Sequence, residues 1–278
     1  MGEVLTSVST FKQGLTGGAF EALAAVSGDS LSILFFDPSS SAFVEEVFSG
    51  NSTQRMEVAI FSPRFGDNQF GFRAQHMFNP TQASPAGPPQ WLMPRELDIP
   101  VFPSDVLNVQ VNAPAGSGNA NVSLQLYYQN VPGAGQRLAT WDQVKGIGWV
   151  RVLAVEVTVT PGTTGSPGTA VAINANDARL RANLDYAILG YQTDTSGLLF
   201  RLRGPDTSGF NMPLPVSFDA RNMADYFVFQ DLLHPGPHIP IINSNNAGST
   251  LLDGVAHNNP GATKVSLIMA EMNTVVPV

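Results

Sequence analysis

Short apolar runs that alternate with polar residues, separated by turn-forming segments, constrain this chain more than any other feature. The alternation is clear at 122–127 and at 155–159. A period of two buries one face of a β-strand and leaves the opposite face to solvent or to a neighbour. Segments rich in Gly, Pro, Ser and Thr, such as 114–119 and 161–168, are typical of loops and hairpin tips. The pattern predicts many strands joined by turns.

Further apolar runs of strand length extend this prediction along the chain. They lie at 31–36, 56–61, 106–111, 150–159, 186–191, 198–202 and 265–269. Helical signals are few: 19–26 is one candidate, and 219–233 is another, with Asp219 as its N-cap and Pro235 as its stop. The 26 glycines and 21 prolines are scattered between the apolar runs, which favours a β-protein over a helical bundle.

The chain is poor in charge. Charged residues make up 13% of it, about half the usual share, as expected for a subunit that neighbours cover on several sides. The net charge is −8 and no run of Lys or Arg occurs, so sequence-specific nucleic-acid binding is not expected. Without cysteine, disulfides and thiolate metal sites are excluded. We expect no signal peptide at 1–6 and no membrane-spanning helix, which needs about 18 apolar residues.

Short segments recur in the same order in the two halves of the chain. Ile99-Pro100-Val101-Phe102 is echoed by Ile239-Pro240-Ile241-Ile242, and Val122-Ser123-Leu124 is echoed by Val265-Ser266-Leu267. Upstream, the pairs at 59–60 and 187–188 match, as do those at 72–73 and 200–201. Ordered matches about half a chain apart predict a duplication with loop insertions, in which Ile99 is equivalent to Ile239 and Val122 to Val265.

The paired segments Ile99–Asp105 and Ile239–Asn245 lie in an acidic, cysteine-free chain of β-type sequence. In these respects the chain resembles the double jelly-roll major capsid proteins of icosahedral viruses, particularly small bacteriophages. The resemblance covers the whole chain as architecture. It implies an all-β fold of two tandem jelly-roll barrels, at 1–135 and 136–278, with few short helices.

The same resemblance implies a structural role and no catalysis. The expected protein is a major capsid subunit that self-assembles, as pseudo-hexagonal homotrimers, into an icosahedral shell around the genome. Its expected partners are further copies of itself and other virion proteins, its location is the virion after assembly in the host cytoplasm, and no cofactor is expected. A carbohydrate-binding or host-attachment β-sandwich of a virion is the alternative, and a cupin-like or glycosidase-like enzyme ranks third.

Histidines and carboxylates are the residues that could hold a metal. The weak candidates are His234, His238 and His257, with Asp231 and Asp253 nearby in sequence. A cupin-like site would require a His-x-His pair on a strand, which the sequence lacks. The interpretation is therefore no catalytic residue, no cofactor-binding residue and no metal site, with these histidines serving packing or capping roles.

Other enzyme signatures are also missing from the sequence. No Gly-x-Ser-x-Gly elbow and no Walker-type phosphate loop occurs. Paired carboxylates for glycoside hydrolysis stay open, but Glu45-Glu46, Asp98 and Asp105 are interpreted as strand-end or solvated residues.

Several large side chains are candidates for contacts between subunits. Aromatic residues and Arg are enriched in such interfaces. The interface candidates are Phe78, Trp91, Phe210, Arg201 and Arg203, and the loops 80–94 and 204–215 are expected to reach a neighbour. Arg201 and Arg203 would lie on one face of a strand, and an intrachain pair with Asp206 or Asp219 is their simplest role. The tryptophans at 91, 141 and 149 could stack on a sugar, but core or interface packing is favoured.

Overall fold

The structure is a computed structural model. It describes residues 2–51, 56–62, 72–75, 99–113, 118–133, 135–162, 165–194, 198–215, 222–234, 236–256 and 261–276. Within these ranges the chain is mostly β, and its antiparallel sheets pair into two sandwich-like bodies.

The first sandwich consists of two antiparallel sheets, ordered β3-β1-β9-β4-β7 and β2-β8-β5-β6. Its strands are β1 (Gly2–Lys12), β2 (Glu21–Ala22), β3 (Ala24–Ala25), β4 (Ser41–Asn51), β5 (Glu57–Phe61), β6 (Phe72–Gln75), β7 (Ile99–Val101), β8 (Asn108–Asn112) and β9 (Ala120–Val131). Alternate residues of β1, β5 and β9 point into a core that includes Val4, Val8, Val58, Ile60 and Val122. The alternation in the sequence therefore corresponds to one face of each sheet.

The second sandwich has the same two-sheet construction, with sheets ordered β10-β17-β13-β19-β11 and β12-β18-β14-β15 and with β16 paired to β13. Its elements are β10 (Leu138–Ala139), α1 (Trp141–Ile147), β11 (Trp149–Val159), β12 (Val171–Ala172), β13 (Asp185–Thr193), β14 (Leu198–Arg203), β15 (Met212–Pro215), β16 (Asn222–Met223), α2 (Tyr226–Leu233), β17 (Ile239–Asn243), β18 (Leu251–Ala256) and β19 (Thr263–Met272). Short 3₁₀ turns lie at Pro205–Thr207 and Ser244–Asn246.

The two sandwiches share one strand order, which is that of a jelly roll. The path β1-β9-β4-β7 corresponds to β11-β19-β13-β17, and β2-β8-β5-β6 corresponds to β12-β18-β14-β15. The prediction of an all-β fold with two tandem jelly-roll barrels is confirmed. The predicted division at 135/136 falls between β9 and β10, and no described strand of one sandwich pairs with a described strand of the other.

A β-bulge at the same place in both sandwiches fixes their equivalence. In β4 the extra residue is Glu45, which lies opposite the step from Gln125 to Leu126 in β9. In β13 the extra residue is Leu189, which lies opposite the step from Ile268 to Met269 in β19. Bulges bend a strand at a defined position and are specific features of a sheet. The matching bulges make Gln125 equivalent to Ile268, and therefore Val122 equivalent to Val265.

The predicted repeat is right for Val122 and Val265, right for the strand but not the residue at Ile99 and Ile239, and wrong for the other two matches. Ile99 and Ile239 lie on the equivalent strands β7 and β17. Val44 pairs with Ile99, and the equivalent of Val44 in β13 is Ile188, which follows the pair of Ala187 with Ile241. Ile99 is therefore equivalent to Pro240, one residue beyond Ile239. The matches at 59–60 with 187–188 and at 72–73 with 200–201 join non-equivalent strands. Matches of only two residues arise by chance between any two strands, so neither match identifies equivalent positions in the sheets.

Three local predictions are also corrected. Residues 19–26 form the short strands β2 and β3 and no helix, and 31–36 contribute only a bridge from Ser32 to Val106. Helix α2 begins at Tyr226 with Asp225 as its N-cap, later than the predicted start at Asp219, which lies outside the described residues. Helix α1 was not predicted, although its capping box of Thr140 and Gln143 is readable in the sequence. Neither described helix has the length and apolar run that crossing a bilayer requires.

Gly190, which follows the bulge of β13, lies against the backbone of the neighbouring strand β16. A Cβ at this position would lie 2.1 Å from the carbonyl oxygen of Met223. We expect Gly190→Ala to lower the free energy of unfolding by about 1–3 kcal/mol, because the backbone must move. Thermal unfolding followed by circular dichroism measures this as a drop of roughly 2–4 °C per kcal/mol.

The same substitution in helix α1 is the control. A Cβ on Gly146 would meet no atom within 4 Å. Gly146→Ala should therefore stabilise the helix by about 0.5–1 kcal/mol. Equal melting temperatures for the two variants would contradict the close approach at Gly190.

Candidate functional site: the seam between the two sandwiches

The two sandwiches meet along a buried surface, here called the seam. It is formed on one side by the outer faces of β1, β4 and β9, and on the other by α2, β14, β15, β18 and residues 236–238. Leu5, Phe48 and Tyr127 of the first sandwich belong to the same hydrophobic cluster as the core of the second. The apolar interior therefore continues from one sandwich into the other.

Hydrogen bonds made by backbone groups of β1 connect this strand to the second half of the chain. The side-chain oxygen of Gln136 accepts from the Leu5 amide at 2.6 Å, and the side-chain NH₂ of Gln136 donates to the Leu5 carbonyl at 2.8 Å. The Ser7 amide donates to the Asn211 carbonyl at 2.8 Å. These bonds satisfy polar backbone groups that the contact removes from water.

The centre of the seam holds a buried carboxylate–imidazole pair. Nε2 of His238 lies 3.1 Å from both carboxylate oxygens of Glu45, the bulge residue of β4. Nδ1 of the same ring lies 2.8 Å from the Gly236 carbonyl oxygen, and both side chains are fully buried. A carbonyl oxygen can only accept, so Nδ1 is the donor of this hydrogen bond.

A second pair lies beside the first. Nε2 of His234 is 3.0 Å from a carboxylate oxygen of Glu46, and the centroids of the two histidine rings are 5.8 Å apart. The ring of Tyr127 stacks on His238 with a centroid distance of 5.0 Å. The seam therefore buries two acidic and two imidazole groups, each acid from the first sandwich and each imidazole from the second.

Amide and phenol groups complete the network. The side-chain NH₂ of Gln125 donates to Glu45 and to the side-chain oxygen of Gln230, at 3.0 Å each, and the Tyr226 hydroxyl donates to the Gln125 side-chain oxygen at 2.7 Å. Burial raises the pKa of Tyr226 well above its ordinary value, and the nearby groups of Tyr191, Glu46 and Glu45 act in the same direction. Tyr226 is therefore a neutral donor at physiological pH.

A further ionic cluster lies at the end of the seam where β14 meets the loop after β3. The Arg201 guanidinium makes two hydrogen bonds to Asp253, at 2.9 and 3.2 Å, and a third to Asp29 of the first sandwich at 2.9 Å. Asp29 also accepts from the Ser9 amide at 2.8 Å and from the Asn211 side chain at 2.7 Å. The Arg201 side chain is 1% exposed, so this cluster is part of the interior.

The chemistry of the seam is that of a rigid joint. Buried charges are tolerated only when they are paired and hydrogen-bonded, so each ion pair permits one relative position of the two sandwiches. Networks of this kind fix an arrangement more narrowly than apolar packing does. The geometry therefore positions one jelly roll against the other within a single chain.

The structure brings two of the predicted metal candidates together and does not describe the third. His234 and His238 lie in the seam, each opposite one glutamate, and His257 lies outside the described residues. Within the described ranges, no group of three or more His, Asp or Glu side chains is arranged to hold a metal ion. The expectation of no metal site stays a prediction.

The predicted interface residues fall into two groups. Phe78 and Trp91 lie outside the described residues, as does the loop 80–94. Phe210 packs against the first core and lies 6.2 Å from the ring of Phe36, so its segment reaches the other sandwich of the same chain. Arg201 and Arg203 do lie on one face of β14 and both pair with Asp253.

Two interpretations of charged residues are corrected. Arg201 is not at the surface of the chain, because it is enclosed between Asp29 and Asp253 and has no side available to another subunit. Glu45 and Glu46 are neither strand-end nor solvated residues, because they lie in the middle of β4 and are buried in the seam. An apolar run interrupted by two adjacent acids was the signal in the sequence that could have revealed this contact.

The described tryptophans have partners within the chain. The rings of Trp141 and Trp149 stack with a centroid distance of 5.6 Å and an interplanar angle of 25°. The Trp141 amide donates to Asp231 at 2.8 Å, and the Lys145 ammonium lies 5.9 Å from the Trp141 ring. The stacked pair joins α1 to the first residue of β11.

Comparison with known proteins adds no identification. A scan of the sequence against models of protein families finds no match, and a search of curated proteins finds no similar sequence.

Replacing Arg201 tests the ionic cluster. Arg201→Met leaves Asp29 and Asp253 buried without their main partner, so we expect a loss of about 3–5 kcal/mol in the free energy of unfolding. Arg203→Met is the matched control, because its side chain is 36% exposed and its pair with Asp253 should contribute less than about 1 kcal/mol. Chemical denaturation of both variants measures the difference, and similar losses would contradict the structural role of Arg201.

The protons of His238 can be observed directly. We expect nitrogen NMR of ring-labelled protein to show a protonated Nδ1 whose hydrogen exchanges slowly, because the ring is buried and faces the Gly236 carbonyl. In Glu45→Gln the Nε2 signal should shift while the Nδ1 proton is retained. A proton-free Nδ1 in the folded wild-type protein would refute the assigned hydrogen bond.

Proposed function

We propose that this protein is a major capsid subunit that tiles, as a homotrimer, into the icosahedral shell of a virus. The observation that carries the proposal is the repeated jelly roll with a buried, ion-paired seam. Two equivalent sandwiches held in one arrangement form a single rigid block. A closed shell needs such blocks, because flexible joints would let the tile change shape during assembly.

Composition and surface support an assembled state. Only 13% of residues are charged, and large apolar side chains are exposed in both sandwiches. The exposed apolar residues include Leu34, Phe35, Phe102 and Val106 in the first sandwich and Trp149, Val150 and Val152 in the second. Apolar patches of this kind are typical of protein interfaces. Further copies of the chain, with other virion proteins, are the partners we propose.

The internal repeat supports threefold association. Two similar but non-identical bodies in each chain can alternate around a ring, each meeting an unlike body of the next copy in a heterologous contact. Three chains then provide six bodies, which gives a six-sided outline. The seam already supplies one contact of this kind within the chain.

Native mass spectrometry and electron microscopy test the proposal. We expect the purified chain to form a stable trimer and, at higher concentration or in its native source, to occur in closed particles of regular size. A chain that stays monomeric at high concentration and is absent from any particle would overturn the proposal. Sugar binding by such a monomer would instead favour the carbohydrate-binding alternative.

A further inference from the structure

The equivalence of the two sandwiches identifies one surface that, within the described residues, is covered in the first sandwich and exposed in the second. Matching bulges make Tyr128 of β9 equivalent to Glu271 of β19. Tyr128 pairs with Val4 and Glu271 pairs with Arg151, so the outward-facing Leu5 of β1 is equivalent to Val152 of β11.

The outer face of β1 is covered by the second sandwich of the same chain. Leu5 is 0% exposed and belongs to the hydrophobic cluster of the second sandwich. Ser7 contacts Asn211, and Phe11 clusters with Val255 of β18. A neighbouring jelly roll therefore buries this strand along its length.

Among the described residues, the outer face of β11 has no such cover. Val152 is 50% exposed, and the adjacent Val150 and Trp149 are 60% and 39% exposed. Farther along the same face, Glu156 is exposed and pairs with Lys264 of β19. The strand thus has an apolar end followed by a polar stretch, as β1 does with Leu5 followed by Ser7 and Ser9. We call Trp149, Val150 and Val152 the β11 strip.

We propose that the β11 strip is the docking surface for the first sandwich of a second copy of this chain. The inference rests on the proposed function and names the contact that would join one subunit to the next. Within the chain, a second sandwich covers the strand β1 of a first sandwich. In a ring of alternating bodies, the body that follows the second sandwich is the first sandwich of the next chain, and it covers the equivalent strand β11.

Substitution of the strip tests this contact. Val152→Glu places a charge in the buried centre of the interface and should raise the concentration at which trimers dissociate by about tenfold or more. Val275→Glu is the control, because Val275 is a valine of similar exposure, 61%, in the second sandwich and outside the strip. Unchanged thermal unfolding of the separated chains shows that both variants fold.

The outcomes separate this inference from the proposed function. A monomeric wild-type chain overturns both. A wild-type trimer that persists in Val152→Glu, or that is lost equally in Val275→Glu, overturns the docking surface alone.

A photocrosslink identifies the occupant. Benzoylphenylalanine at position 152, in a mixture of isotopically labelled and unlabelled chains, should crosslink between copies to peptides from residues 2–133. Crosslinks between copies to residues 138–276 would indicate contact between two second sandwiches and would overturn the proposal. In the purified virion, a crosslink to a different protein would overturn it as well. The chain has no cysteine, so no disulfide exchange complicates the peptide analysis.

Discussion

The arrangement of this molecule depends on placing the carboxyl groups of Glu45 and Glu46 out of water. An unpaired carboxylate in a protein interior costs several kcal/mol, and the imidazoles of His234 and His238 on the opposite sandwich offset that cost only at hydrogen-bond distance. A sliding movement between the sandwiches would separate both pairs at once. The rest of the contact, from the apolar cluster around Leu5 to the Arg201 cluster, is consistent with this single position.

The sequence predicts the fold class well because the alternation of polar and apolar residues is a direct consequence of sheet geometry. The runs that became β5, β8, β9, β11, β13, β14 and β19 were all recognisable. The long strands β1 and β4 were not, because their outer faces contact a second sandwich and carry residues such as Ser7, Ser9 and Glu46 that look solvated in sequence. A polar residue in an alternating strand is expected to face water, but at the seam the polar residues of the two sandwiches face each other.

The site was less predictable than the fold for the same reason. Its members come from distant parts of the chain: Glu45 meets His238, and Asp29 meets Arg201. The histidines and arginines were candidate site residues because of their side-chain chemistry, but their partners could be found only from the topology. Spacing along the chain identifies ligands that share one helix or strand, and it carries no information on contacts across two separately folded sheets.

The bulge shared by β4 and β13 has a consequence for how the two halves can differ. The extra residue of a bulge has no partner in the ladder, so its identity does not affect the register of the strands beside it. Glu45 occupies this position in the first half and Leu189 in the second. One half has a buried carboxyl group at this position and the other an apolar side chain, while both strands keep the same bulge. The bulge position thus accepts different side chains without a change in strand pairing, so two sandwiches with the same strand order can have different contacts and cannot replace each other.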